Sequence, residues 1–143
     1  MLPFRNITHT QLIAARVLTN NATATVNLDC TGADYATIIV NISSEANTNA
    51  VGPTIQLSES DDTEVTNFAT VTANITGDAV AAKPIVYGID TRGRKRYLRL
   101  SISNPAATND HNVVSADAIL ARLHQAPAGT TSITSTNGVA RFV

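Results

Sequence analysis

Short segments in which apolar and polar residues alternate recur along this chain of 143 residues. Alternation with a period of two places every second side chain on the same face of a β-strand. In segment 22–28, alanine, valine and leucine share one face, and threonine and asparagine share the other. In segment 95–103, Leu98, Leu100 and Ile102 share one face between polar neighbours. Both segments are therefore predicted to be strands with one buried face.

Eight strands are predicted from such patterns and from the turn residues between them. They cover segments 11–18, 22–28, 35–43, 54–59, 68–75, 84–90, 95–103 and 113–123. The first and the last of these are rich in alanine and leucine, which leaves a helix open, although we favour a strand for both. Short strands separated by turns at this spacing indicate an all-β fold, either a sandwich or a barrel.

Two finer features are predicted within this set of strands. The run Ile38-Ile39-Val40 is apolar on both faces, as expected for a strand that is covered on both sides. Segments 84–90 and 95–103 are separated by a turn at Gly93, and this pattern predicts a β-hairpin. At the ends of the chain, we interpret residues 1–10 as an N-terminal arm and residues 127–143 as an extended tail, which leaves residues 11–126 for the folded domain.

The composition supports a strand-rich fold and excludes two other classes. Apolar residues make up 43% of the chain and the net charge is −1. An intrinsically disordered protein would have fewer apolar residues and a larger net charge. The 20 threonines, 13 asparagines and 9 serines are mediocre helix formers, which argues against a helical bundle. One domain of this length can bury a sizeable core without metals or disulfides.

The charge balance bears on the partners of the protein. Only 15% of the residues are charged and the formal net charge is −1, whereas nucleic-acid-binding domains usually carry a basic excess. We therefore expect no nucleic acid as a partner. The N-terminal residues lack the pattern of a secretory signal, and the apolar runs are too short to cross a bilayer, so we expect no membrane partner.

Catalytic and metal-binding signatures are not found in the sequence. Cys30 is the single cysteine, and His9, His111 and His124 are far apart, so neither a disulfide nor a zinc pattern is indicated. No nucleophile elbow, phosphate-binding glycine loop or zinc-protease motif is present. We therefore predict a protein that is not an enzyme and needs no cofactor and no metal.

An acidic segment is formed by Glu59, Asp61, Asp62 and Glu64. Its carboxylates could bind a hard cation, but the spacing of a calcium loop is lacking. A solvated turn is the preferred interpretation. The segment could also pair with basic residues, either within one chain or between copies.

Half of the ten basic residues lie within one short segment: Arg92, Arg94, Lys95, Arg96 and Arg99. This segment could contact a protein partner, or it could be an ordinary solvated edge whose cations block unwanted strand pairing. Strand alternation separates Lys95 and Arg99 from Arg94 and Arg96, so the five charges are not predicted to form one flat patch.

Two groups of segments carry a resemblance to a known class of proteins. The first is the strand 55–62 followed by Phe68-Ala69-Thr70-Val71, and the second is Arg96-Tyr97-Leu98-Arg99-Leu100, which leads to 118–120 and Pro127. With the apolar strand 35–42 before them, these segments make residues 22–127 similar to small structural proteins of tailed bacteriophages. The closest similarity is to head decoration proteins, which are also called cement proteins.

The resemblance implies a β-sandwich of jelly-roll type and a place on the outer surface of the capsid. It also implies a homo-oligomer, expected to be a trimer, that bridges subunits of the major capsid protein. Another phage component, from the tail or the neck, is a rival of the same class. A carbohydrate-binding β-sandwich is a rival of a different class, although the absence of tryptophan argues against it. The residues predicted to contact a protein partner are Phe4, Arg92, Arg94, Lys95, Arg96, Arg141, Phe142 and Val143.

Overall fold

The computed structural model describes residues 7–44, 52–77, 82–106 and 111–122, together with the backbone of 139–142. Strands account for nearly all of its regular structure, apart from one 3-10 turn at Val65–Asn67. The strands are β1 Ile7–Leu18, β2 Thr23–Asp29, β3 Tyr35–Ser44, β4 Thr54–Ser60, β5 Ala69–Thr70, β6 Ile75–Thr76, β7 Ile85–Asp90, β8 Tyr97–Ser103, β9 Asn112–Ala121 and β10 Val139–Phe142.

The strands form two sheets that pack face to face as a β-sandwich. The first sheet has the order β1-β9-β3-β7-β10, and the second has the order β2-β8-β4-β5, with β6 also paired to β4. Apart from β5 and β6, successive strands from β1 to β9 alternate between the two sheets. This order is that of a jelly roll, so the all-β prediction and the jelly-roll type are both confirmed.

The core lies between the inward faces of the two sheets. The alternation predicted from the sequence is confirmed, because Leu98, Leu100 and Ile102 are all at most 1% exposed. From the facing sheet, Ile38 and Tyr87 are fully buried. Burial of a side chain of this size stabilises the fold by about 1.5–3 kcal/mol.

The strand that contains Ile38-Ile39-Val40 is covered on one face only, contrary to the prediction. Ile38 and Val40 point into the core, whereas Ile39 is only half-buried on the outer face. Strand β3 lies in the centre of its sheet, so Ile39 is flanked laterally by Val86 and Asp117. A central position between two neighbouring strands thus accommodates the apolar run.

The predicted hairpin is wrong, because β7 and β8 belong to different sheets. The turn between them crosses from one sheet to the other and is held by the loop between β2 and β3. There the Thr91 backbone N–H donates to the Asp34 carbonyl over 2.9 Å. The Thr91 hydroxyl donates to the Ala33 carbonyl over 2.7 Å. Turn residues indicate where a chain reverses, but not whether the next strand pairs in the same sheet.

The predicted strand 68–75 is also wrong in its extent. Only the two-residue strand β5 and the first residue of β6 lie within it, and the residues between them are not in a strand. Ala69 and Thr70 are exposed, and Ile75 is the residue of these two strands that enters the core. Between the two short strands, the Val71 backbone N–H still donates to the Leu57 carbonyl of β4 over 2.9 Å.

Both chain ends contribute strands where arms were predicted. Residues 7–10 of the predicted N-terminal arm belong to β1 and pair with 118–121 of β9. In the predicted tail, β10 adds to the edge of the first sheet as a strand parallel to β7. Strand β1 has two register shifts and buries only Ile13 and Leu18, as is typical of an edge strand.

Buried amides hold the end of the sandwich where β8 and β9 are connected. Asn112 donates to the Asn104 side-chain oxygen over 2.5 Å, and both residues are buried. Asn104 in turn donates to the carbonyls of Leu18 and Thr19 over 3.1 and 3.2 Å. These bonds tie the loop after β8 to the end of β1.

The assignment of the core predicts a large difference between two truncations. Leu57→Ala is expected to lower the free energy of unfolding by about 2–5 kcal/mol, because it leaves a cavity between the sheets. The matched control is Val65→Ala, at a side chain that is 75% exposed, with an expected change within about 0.5 kcal/mol. Urea unfolding followed by far-ultraviolet circular dichroism measures both. Equal losses would contradict the assignment of Leu57 to the core.

Candidate interaction surface

Four of the predicted interface residues lie together at one end of the sandwich. Arg92, Arg94, Lys95 and Arg96 occupy the loop between β7 and β8, which crosses that end. Strands β2 and β4 also end there, so that Asp29 of β2 and Glu59 of β4 lie at this end. We call this surface the charged end. It comprises the four basic residues and Asp29, Glu59, Asp61 and Asp90.

Arg92 is bound to Asp90 and Tyr35. Its Nε donates to Asp90 Oδ1 over 2.9 Å, and its Nη2 contacts the other carboxylate oxygen and the tyrosine hydroxyl, the latter at 2.8 Å. The guanidinium carbon also lies 5.2 Å from the centre of the Tyr35 ring. Hydrogen bonding by Arg92 lowers the pKa of Asp90 to about 2. Arg92 is therefore held by a carboxylate and an aromatic side chain that both belong to the first sheet.

Arg96 is bound to Asp29 in the second sheet. Its Nη2 lies 2.7 Å from Asp29 Oδ2, and its guanidinium lies 4.8 Å from the centre of the Tyr97 ring. The hydroxyl of Thr31 donates to the same carboxylate over 2.6 Å. These bonds, the one from Arg96 first among them, hold the pKa of Asp29 well below its usual range.

The acidic segment pairs with the basic segment within one chain, which was one of the alternatives left open by the sequence. Lys95 Nζ lies 2.7 Å from Asp61 Oδ2, and Arg94 Nη1 lies 3.8 Å from Glu59 Oε2. The Lys95 hydrogen bond lowers the pKa of Asp61. The four cations of the charged end are thus matched by four carboxylates, and no net positive patch is formed by them.

Asp62 has a different role, because its carboxylate organises the turn. It accepts hydrogen bonds from the Asn67 side chain and from the Glu64 backbone, each over 2.9 Å. The bond from Asn67 lowers the pKa of Asp62. This turn leads into the 3-10 turn Val65–Asn67 and places it over the outer face of the second sheet.

The start of β1 and the end of β9 both lie at the charged end. Ile7 at the start of β1 pairs with Ala121 at the end of β9. Ala121 pairs with Tyr35, which pairs with Asp90, so all four residues lie in one row across the sheet. The described segments 7–44 and 111–122 thus begin and end, respectively, at or next to the row of Asp90.

The remaining predicted interface residues are placed only in part. Phe4 and Val143 lie outside the described residues. Arg141 and Phe142 belong to β10, where their backbone is registered with Tyr87 and Gly88 of β7. The structure therefore brings Arg92, Arg94, Lys95 and Arg96 together and places the strand containing Arg141 and Phe142 at a sheet edge.

Arg99 lies apart from the charged end, in a groove that the sequence did not indicate. The groove has a volume of about 460 Å³ and lies on the outer face of the second sheet, bounded by segment 65–70. Arg99 is buried beneath this segment and stacks on Phe68, with its guanidinium carbon 3.6 Å from the ring centre. The lining residues are Thr25, Gln56, Ser58, Val65, Phe68, Thr70, Arg99 and Ser101.

The described residues form no cluster suited to a metal ion. No three His, Cys, Asp or Glu side chains in this part of the chain are grouped so that they could hold a metal ion. Cys30 is buried, and burial raises the pKa of its thiol to about 11. His9 lies 3.3 Å from Asp117 at the exposed outer face of the first sheet. No helix among these residues is long and apolar enough to cross a membrane.

Comparison with known proteins adds no family to this description. No protein-family model matches the chain, and no curated protein matches it significantly. Function is therefore inferred from the side chains, the topology and the resemblance carried by the sequence segments.

The ion pairs of the charged end predict that the fold is destabilised by acid. The folded-state pKa values of Asp29 and Asp90 lie below the ordinary value of 3.8. Stabilisation by these carboxylates is therefore present above the unfolded-state pKa and is lost as the pH falls toward the folded-state values. Urea midpoints measured between about pH 7 and about pH 2 are expected to fall below about pH 5.

Asp29→Asn is expected to lower the midpoint near neutral pH and to reduce its dependence on pH. The effect is expected to be modest, because solvent and salt screen exposed ion pairs. Glu64→Gln is the matched control, since this exposed carboxylate forms no ion pair within the described part of the chain. Identical pH dependence in the two variants would show that the Arg96–Asp29 pair contributes nothing to stability.

Proposed function

We propose that this chain is a non-catalytic structural protein of a tailed-bacteriophage virion. In this proposal it binds the outer surface of the capsid, bridges subunits of the major capsid protein and acts as a homo-oligomer, with a trimer expected. The proposal starts from the resemblance of residues 22–127 to head decoration proteins. Since a jelly roll serves many unrelated functions, the fold alone does not select this one.

The observation that carries the proposal is the pairing of β10 with the edge of β7. Val139–Phe142 run parallel to Ile85–Gly88 and extend the first sheet by one strand. An open sheet edge presents unpaired N–H and C=O groups, and these are a template for an added strand from the same or another chain. A terminal segment that adds to such an edge is therefore a means of joining protein molecules.

The position of β10 allows the added strand to come from a neighbouring copy. Strand β9 ends at Ala121 in the same row as Asp90, whereas β10 begins beside Ile85 at the opposite end of β7. Sixteen residues, 123–138, connect Arg122 to Val139. Such a segment can span up to about 55 Å when extended, well beyond the length of β7, about 20 Å. The connection is long enough for β10 to pair within one molecule or across two.

The charged end offers a second kind of contact with a capsid. Its ion pairs are exposed, and the Arg92 and Arg96 side chains are each 53% accessible. Exposed pairs of this kind contribute little to the stability of a fold, so their carboxylates can be exchanged for those of a partner at small cost. Phe4, Phe142 and Val143 remain predicted apolar anchors for a partner.

Bridging stabilises a shell by mass action. A protein that binds the assembled lattice better than the free subunits shifts the equilibrium toward the assembled state. Many weak contacts then act together, because symmetric copies multiply the number of contacts on one particle. This mechanism requires complementary surfaces and no reaction chemistry.

Addition of the purified protein to phage heads assembled without it tests the proposal. The temperature at which the heads dissociate is expected to rise and to reach a plateau at a fixed number of copies per head. A variant that lacks residues 139–143 is expected to bind at least about tenfold more weakly, because it cannot add β10 to an edge. Val17→Ala, at an exposed residue of the opposite edge strand, is the control and is expected to bind like the original protein.

Three results would count against the proposal. A dissociation temperature that does not change with added protein would exclude stabilisation of the shell. Labelling of a virion with antibody against this protein on the tail or neck alone would favour the rival assignment to those parts. Unchanged binding by the variant that lacks residues 139–143 would contradict the role of β10, on which the proposal rests.

A further inference from the structure

The outer face of the second sheet carries a continuous set of polar side chains. Thr23 and Thr25 of β2 face Ser103 and Ser101 of β8, with hydroxyl oxygens 3.1 and 3.2 Å apart. On the other side of β8, Gln56 is registered with Ser101. Hydroxyl and amide groups both donate and accept hydrogen bonds, so this face can bind the hydroxyls of a ligand.

Arg99 is registered between Asn27 and Ser58, in the next row of the same face. It is only 9% exposed, although it carries a full charge. Its Nε donates to Asn27 Oδ1 over 2.9 Å, and its terminal nitrogens donate to the carbonyls of Val65 and Thr63 over 3.2 and 3.5 Å. All three acceptors are neutral oxygens.

Arg99 differs from the basic residues of the loop 91–96, because its partners are neutral and theirs are carboxylates. Arg92, Arg94, Lys95 and Arg96 each lie within 4.0 Å of a carboxylate. No carboxylate in the described part of the chain forms an ion pair with Arg99. A buried charge without a counter-charge is costly, and a bound anion would offset that cost. A guanidinium has five N–H donors, so Arg99 keeps two beyond its protein partners.

From these observations we infer that the groove over Arg99 binds a carboxylate-bearing, hydroxyl-rich small molecule, of the class of the hexuronic acids. The carboxylate would pair with the Arg99 guanidinium, and sugar hydroxyls would bond to Thr25, Ser101 and Gln56. The groove volume of about 460 Å³ lies within the range of small-molecule sites, about 300–1,000 Å³. This site is separate from the charged end and from β10, so it does not depend on the proposed function.

Titration of the protein with sodium glucuronate, followed by NMR chemical shifts, tests the inference. Glucose and sodium acetate are titrated in parallel, because the first lacks the charge and the second lacks the hydroxyls. Saturable binding of glucuronate is expected, with shifts centred on Thr25, Ser101 and Arg99. Glucose and acetate are each expected to bind at least about tenfold more weakly, since each loses one set of partners.

Two pairs of variants separate binding from a purely structural role of Arg99. Thr25→Val removes a hydroxyl that lines the groove, and it is expected to weaken glucuronate binding about threefold to tenfold. Thr23→Val makes the same change one row away, outside the groove, and is expected to have no effect. Arg99→Lys keeps the charge but loses the planar fork, so binding is expected to fall at least about tenfold. Arg16→Lys is its control on the exposed edge strand.

Several results would overturn the inference. Glucuronate shifts that do not saturate below about 50 mM would exclude a site of useful affinity. Equal binding of acetate would leave only general attraction to a cation, and equal binding of glucose would remove the role of Arg99. Equal effects of Thr25→Val and Thr23→Val would place the ligand elsewhere. If Arg99→Lys disturbs segment 63–70, the two threonine variants still decide the question.

Discussion

Burial of two apolar faces against each other is the interaction on which the rest of this molecule depends. Ile38 and Tyr87 from one sheet and Leu57 and Leu100 from the other exclude water from the space between the sheets. Because strand side chains alternate, each inward residue forces its neighbours outward. The same constraint that forms the core therefore places Arg99 and the hydroxyl rows on one outer face. The carboxylates Asp29 and Asp90 lie at the ends of their strands, where they meet the basic residues of the loop between β7 and β8.

The sequence predicted those features that depend on neighbours along the chain. Alternation in 22–28 and 95–103 is local, and it placed Leu98, Leu100 and Ile102 in the core correctly. Sheet membership is not local, so the turn at Gly93 was mistaken for a hairpin within one sheet. The strand 68–75 was overestimated because alternation does not show whether a neighbouring strand pairs along the whole segment, and β4 pairs only with 69–70 and 75–76. The jelly-roll order itself came from resemblance, since alternation cannot rank the pairings of eight strands.

The basic segment shows how far local reasoning reaches at a candidate site. Alternation separated Arg99 from Arg96 correctly, but it wrongly grouped Lys95 with Arg99, because β8 begins only at Tyr97. It also could not show that Arg99 becomes buried or that Arg96 pairs with Asp29. That difference arises from residues distant in sequence, such as the carbonyl of Thr63 and the ring of Phe68. The groove was missed for the same reason, because segment 65–70 closes over the sheet only in three dimensions. A polar outward face on both β2 and β8 was the one signal available in the sequence.

The two ends of the sandwich are closed by different kinds of bond. At one end, Asn104 and Asn112 are joined through buried amides, which carry no charge and are shielded from ions. At the other, exposed ion pairs such as Arg96–Asp29 hold the loops, and ions screen them. Ionic strength therefore weakens the bonds between side chains at the charged end, whereas the buried amide bonds at the opposite end are insensitive to it. The two ends of one sandwich thus differ in their response to salt.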